Sequence, residues 1–132
     1  YYGAYNRLKN THQPQFACPE INDLFTTTAS SNGNKALTYP VGLLTADEIS
    51  YAGSTYFKSD DNYLDTTAYW TMSPRQFSGS TAEEDNDLYI FDEALSGTIP
   101  GVIFGVRPVI NLSDDVGVVS GDGTKDSPYV VK

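Results

Sequence analysis

One cysteine, one histidine and one methionine stand in 132 residues, and eight bases face seventeen acids. Each scarcity excludes something. A single thiol, Cys18, makes no internal disulfide, and Cys18 with His12 makes neither a Cys/His zinc site nor a redox pair. In a secreted setting such a thiol either pairs outside this segment or stays buried and inert. A Cys18 nucleophile would need His12 as its base, from a Pro-flanked polar stretch. Ser-His-Asp chemistry draws on the same histidine and finds no Gly-x-Ser-x-Gly elbow. No apolar run approaches the roughly 18 residues of a membrane helix. A basic n-region followed by an apolar h-region is also missing, so this segment holds no secretion signal. The formal charge of −9 and pI near 4.2 make nucleic acid and anionic lipid poor partners, because phosphate binding needs a basic face.

What the chain does have is rings. Ten Tyr, six Phe and one Trp bring aromatics to 13%, while the apolar fraction is only 39%, below the usual 45–50% or so. A core of rings and β-branched side chains leans toward sheet. At 14.4 kDa the chain makes one domain, two at most, burying about two-thirds of its unfolded surface. Abundant Tyr, Thr, Ser, Asn and Gly with little Lys is a composition common among secreted and cell-surface domains.

Tyr1, Tyr2, Tyr5 and Leu8 recur at helical spacing, so a short amphipathic helix is predicted at the start. The chain begins so abruptly inside it that 1–132 reads as one extracellular domain lacking its native N-terminal segment. Pro14 and Pro19 flank an irregular stretch pinned by a buried Phe16, and 26–34 reads as a polar loop. Leu37, Tyr39, Val41 and Leu43 alternate as an edge strand interrupted by Pro40. Thr45-Ala46-Asp47-Glu48 is a capping box, and with Gly53 as the stop it predicts a helix over 46–52. Strands are predicted at 67–73, ended by Pro74, and at 88–91. Between 102 and 112 a strand pair or one bent strand is expected, and a last strand at 129–131 follows a Gly-Asp-Gly-Thr turn. Short helices, many short strands and long loops without repeats give α+β with an antiparallel sheet.

Three pieces, taken in order, resemble known proteins. They are Tyr39 to Glu48, then Tyr69-Trp70-Thr71-Met72-Ser73-Pro74, then Gly105 to Leu112 with Ser120 to Thr124 and Pro128 to Val131. Together they resemble a largely uncharacterised family of bacterial cell-surface and pilin-like proteins. They also look like the core of the C-type lectin-like fold, shared with formylglycine-generating enzymes and with the receptor-binding proteins of diversity-generating retroelements. The resemblance implies short helices, a small twisted antiparallel sheet and long irregular loops. It also implies an extracellular, cell-surface location.

Physical roles for the matching residues are mostly structural. Thr45 and Glu48 cap the helix. Trp70 is expected in the core with its indole N–H on a carbonyl, the alternative being an exposed ring that stacks on ligand. Arg107 is expected to satisfy buried carbonyls or to pair with Asp47 or Glu48. Asn111-Leu112-Ser113 is a formal glycosylation acceptor, more simply a strand-end cap or turn.

Three acidic groups invite a metal test. Asp60, Asp61, Asn62 and Asp65 offer oxygens to a calcium ion, and Asp122, Thr124 and Asp126 alternate like the start of a calcium loop without its distal Glu. Glu83 to Asp87 is an acidic run. A solvated loop explains each more simply, so no cofactor is expected; Ca2+ at Asp60, Asp61 and Asp65 is the alternative. True lectins hold calcium with Glu-Pro-Asn or Gln-Pro-Asp and Trp-Asn-Asp, whereas this chain has Gln13-Pro14-Gln15 and Asp85-Asn86-Asp87. Formylglycine-generating enzymes bind copper with two cysteines, and here there is one. Paired carboxylates such as Asp92 with Glu93, or Asp60 with Asp65, leave hydrolysis formally open, but catalysis is not expected.

The favoured reading is a non-catalytic binding or adhesion module of a bacterial surface protein. Its ligand, a cell-surface protein or glycan, would meet the long loops at 75–101 with help from 54–65. Phe77, Glu83, Glu84, Asp85, Asp87 and Tyr89 are the candidate contacts, amid adaptable Ser, Gly and Asn. The alternative is a structural subunit of a pilus or filament that contacts copies of itself, since Tyr129 to Val131 could pair across subunits.

Overall fold

The computed structural model describes residues 3–18, 21, 24–54, 64, 67–77, 86–92, 94–124 and 126–132, of which 76–77 and 86–92 are described as backbone. Helix α1 (Gly3–Tyr5) runs straight into a π-helical turn, Asn6–Asn10, closed by the Thr11 N–H on the Asn6 carbonyl at 3.1 Å. Ala4 and Leu8, four apart, fall on one face and are its buried residues.

Strand β1 (Gly42–Leu43) leads into helix α2 (Ala46–Tyr51). The capping box is complete. The Glu48 N–H donates to Thr45 Oγ1 at 3.1 Å, and the Thr45 N–H donates to Glu48 Oε2 at 2.8 Å. At the other end Gly53 takes φ +111°, its N–H reaching the Ser50 carbonyl while the Ser54 N–H reaches that of Ile49. This is a Schellman stop, and a glycine supplies its left-handed residue at little steric expense. Thr45→Ala is expected to lower stability by about 1 kcal/mol, read as a shifted urea midpoint with unchanged slope. A change under a few tenths would mean the cap does not hold the helix.

The main sheet is antiparallel and three-stranded, in the order β2 (Tyr69–Phe77), β3 (Asn86–Asp92), β4 (Ala94–Thr98). Tyr69, Thr71 and Ser73 are buried while Trp70 and Met72 are half-buried, the two-residue alternation of a pleated strand. Ser73 Oγ on the buried face accepts the Ala46 N–H at 3.0 Å, which ties the first turn of α2 to β2. The core gathers Ala4, Leu8, Ala46, Ile49, Leu64, Tyr69 and Leu95, with Leu44 and Ala52 packed against it.

Several expectations need correction. Pro74 does not end β2. The register slips on either side of it, and a strand accommodates a residue without an N–H at such an irregularity. The stretch 75–101 is not one long loop, since the end of β2 and the whole of β3 and β4 lie within it. β4 contains Ser96 and Gly97, poor strand formers; its ladder to β3 and the complete burial of Leu95 override propensity. The alternating 35–44 segment yields only β1. Lys35 takes φ +65°, Pro40 has no N–H to give, and Tyr39 is left exposed. Phe16, expected in the core, is 74% exposed.

Of 102–112, only β5 (Pro108–Val109) is strand, antiparallel to β1 through Gly42↔Val109 and Leu43↔Pro108. Gly105 fixes the preceding stretch on the start of β2. Its carbonyl accepts the Trp70 N–H and its own N–H reaches the Ala68 carbonyl, both at 3.0 Å. Strands β6 (Val118–Ser120) and β7 (Val130–Val131) form a third, separate antiparallel pair. The fold is thus α+β, with short helices and, among the described residues, three small antiparallel sheets rather than one.

Candidate functional site

Asp47 sits at the second position of α2 and is 5% exposed. Arg7, from the π turn, reaches it with two bonds, Nε to Oδ1 at 3.2 Å and Nη2 to Oδ2 at 2.9 Å. The backbone N–H of Gln15 adds a third, to Oδ1 at 2.8 Å. A carboxylate that loses water keeps its charge only when paired and hydrogen-bonded. This constellation therefore fixes three pieces of chain: the π turn, the 11–18 segment and the start of α2.

Beside it opens a cleft of about 350 Å³ whose walls include Leu24, Phe25, Leu43, Met72 and Val109, with Arg7, Gln15, Thr45, Asp47, Glu48 and Asn111 as its polar lining. Phe25 packs across Gly42 toward Met72. Phe16 also lines the cleft, stacked on Tyr51 with centroids 4.1 Å apart and planes at 5°. The Tyr51 hydroxyl donates to the Pro14 carbonyl at 2.9 Å, which steadies the pair. An exposed aromatic pair at the edge of an apolar cleft with convergent polar groups is how ligand sites are commonly built.

No family model, curated protein or solved structure matches this chain.

The residues expected from sequence are distributed as follows. Phe77 and Asp87 are paired-strand residues at one end of the main sheet, where Gln76↔Asp87 and Phe77↔Asn86 are the terminal pairs. Tyr89 lies on the central strand opposite Gly97. Glu83, Glu84 and Asp85 lie outside the described residues, within the 78–85 connection between β2 and β3, as do Asp60, Asp61 and Asp65 of the calcium alternative. Among the described residues no group of three His, Cys, Asp or Glu side chains is placed to hold a metal ion.

Trp70 is neither core nor a free platform. It is half-buried and meets Phe104 edge-on, centroids 5.5 Å apart at 84°, while the fully enclosed ring is that of its neighbour Tyr69. Arg107 reaches a carbonyl, not Asp47 or Glu48. Its Nη1 donates to the Leu64 oxygen at 2.8 Å and its guanidinium lies 5.4 Å from the Tyr69 ring centroid. Cys18 is an exposed thiol on the cleft wall rather than a buried one. Asn111 is exposed and also lines the cleft.

The 122–126 group is a turn. Asp122 accepts the Thr124 N–H at 3.0 Å and gives its own N–H to the Ser127 carbonyl. The Thr124 side chain, then its backbone N–H, holds the Asp122 carboxyl below its ordinary value of 3.8. A folded-state pKa below the unfolded one stabilises above 3.8 and loses that contribution as pH falls through the lowered value. The Thr124 amide resonance is therefore expected to titrate below pH 3.8 and to stop doing so in Asp122→Asn. Persistence of the transition in that variant would assign it to another acid.

Proposed function

We propose that this chain is a non-catalytic extracellular recognition module of a bacterial surface protein, with a C-type lectin-like core and a cell-surface protein or glycan as ligand. The observation that carries the reading is the cleft of about 350 Å³ with Phe16, 74% exposed, stacked at its edge on Tyr51. Leaving a large ring so exposed forfeits burial worth about 1.5–3 kcal/mol, a loss that a ligand covering it would offset. The bacterial surface location and the lectin-like core rest on the resemblance of the 39–48, 69–74, 105–112, 120–124 and 128–131 pieces.

The site moves relative to the sequence reading. The cleft takes the place of the 75–101 stretch as the primary contact, and the acidic residues of 78–85, which lie outside the described residues, are a second candidate contact. The test is retention of purified domain on a panel of immobilised glycans and matrix proteins. Wild type is expected to be retained on at least one member. Phe16→Ala is expected to lose that retention while melting as wild type, and equal retention by the variant would remove the cleft from the reading.

A structural-subunit reading has its own support in the segment after β4, where Ile103 is 95% exposed and Val106 and Ile110 are exposed as well. Apolar residues left bare in sequence suit contact with copies of the chain. Light scattering across a concentration series separates the two readings, since a filament subunit grows in mass and a recognition module stays monomeric.

A further inference from the structure

The pair β6–β7 takes no part in the cleft, and among the described residues β6 has a strand neighbour on one edge only. Its inner edge is well defined. Gly117 and Lys132 exchange both backbone bonds, at 3.0 and 3.1 Å, and Val118 then faces Val131. In an antiparallel ladder hydrogen-bonded and non-bonded pairs alternate, so the N–H and C=O of Val118 point to the outer edge. A register slip follows between Val118 and Ser120.

Natural proteins blunt a bare edge with charge, proline or cover. β6 is short and its register slips, but among the described residues it bears no charge, proline or cover, for residues 116–121 read Val-Gly-Val-Val-Ser-Gly, and Val118 and Val119 are each 63% exposed. β7 by contrast is bounded by Pro128 and Lys132. Charge is placed at the two ends of β6. Asp114 and Asp115 precede it and Asp122 and Asp126 follow it, all exposed. Lys132, across from Gly117 at the first end, and Lys125, between Asp122 and Asp126 in the sequence of the second, each offset part of that charge.

We propose that the outer edge of β6 is a strand-addition site for an extended peptide segment with an apolar, β-prone centre and basic residues on both sides. Main-chain bonds to Val118 supply the grip, and the flanking acids select the ends. A second copy fits worse. Two β6 strands paired antiparallel about a two-fold axis would set Asp114 and Asp115 of one against Asp122 of the other, acid on acid at both ends, between chains that each carry −9.

The test titrates 15N-labelled protein with the octapeptide Lys-Lys-Thr-Val-Thr-Val-Lys-Lys. Shifts centred on the Val118 amide are expected, lost with an N-methylated backbone and weakened about tenfold when the flanking lysines become glutamates. Val118→Pro removes an outward N–H and leaves the inner ladder intact, so binding is expected to fall at least about tenfold at an unchanged melting point. If that variant unfolds, the exposed pair Asp114→Asn with Asp126→Asn decides, expected to weaken binding several-fold and to flatten its salt dependence. Equal binding of the glutamate-flanked peptide, no binding by wild type, or shifts at Val118 that follow protein concentration alone would overturn the proposal, the last by naming a second copy as occupant.

Discussion

Arg7→Ala is expected to lower the stability of the fold by about 3–5 kcal/mol, because it strands a carboxylate that has already lost its water. Asp47 is 5% exposed, and two of its three hydrogen bonds come from the Arg7 guanidinium. After the substitution only the Gln15 N–H is left to satisfy a full charge. The pair itself is worth much less than that figure, since forming it requires desolvating both ions. Arg7→Ala combined with Asp47→Ala is therefore expected to be less destabilised than the sum of the two, by about 0.5–3 kcal/mol. Chemical denaturation of the four proteins measures this. Strict additivity would mean the two groups do not depend on one another.

The second large effect is Leu95→Ala, expected to cost about 2–5 kcal/mol. Leu95 is fully buried, shares the core with Ile49 and Ala46 of α2, and is the residue through which β4 enters that core. Truncation removes its transfer energy and leaves a void that a small core collapses only partly. Ile103→Ala is the matched control. A side chain 95% exposed has little to lose, and the change is expected to stay within about 0.5 kcal/mol of wild type. A cost for Ile103→Ala comparable with that for Leu95→Ala would mean the apolar segment after β4 is covered in solution.

The contrast between these residues shows where the sequence was legible. The α2 capping box, its glycine stop and the turn before the last strand are written in neighbouring residues, and each is in place. Patterns that depend on a distant partner are not written locally. Nothing around Arg7 announces Asp47, forty positions away, and nothing in Ala94–Thr98 favours a strand until β3 lies beside it. Pro74 was misleading because a proline ends a strand only where the ladder demands its N–H, and here the register slips around it. The aromatic residues misled most. Ring content predicts that some rings are core, but Tyr69 is enclosed while Trp70, Phe16 and Tyr39 are not. That choice depends on which face of a strand meets α2, which composition does not encode.

No local motif in the sequence marks the cleft. An acidic, aromatic chain without paired cysteines or a second histidine pointed to recognition rather than to metal or nucleophile chemistry. Phe77, Asp87 and Tyr89 turned out to be paired-strand residues, and the cleft assembled itself from Phe16, Phe25 and Met72, three residues no local motif connects. Pro14 is the nearest thing to a signal. Its carbonyl receives the Tyr51 hydroxyl, and the Pro-flanked segment around Phe16 is rigid enough in sequence to hold a ring against a helix.

The measurement that bears most directly on recognition at the cleft compares three proteins on the same immobilised glycan and matrix panel: wild type, Phe16→Ala, and a chain in which 78–85 is replaced by a Gly/Ser linker. Both altered proteins are expected to keep the wild-type melting point, since Phe16 is 74% exposed and the linker leaves every described residue in place. Phe16→Ala is expected to lose retention on every surface that holds wild type. The linker variant is expected to keep most of it and to lose only the part that salt also removes. Full retention by Phe16→Ala together with complete loss in the linker variant would contradict the account and return recognition to the β2–β3 connection.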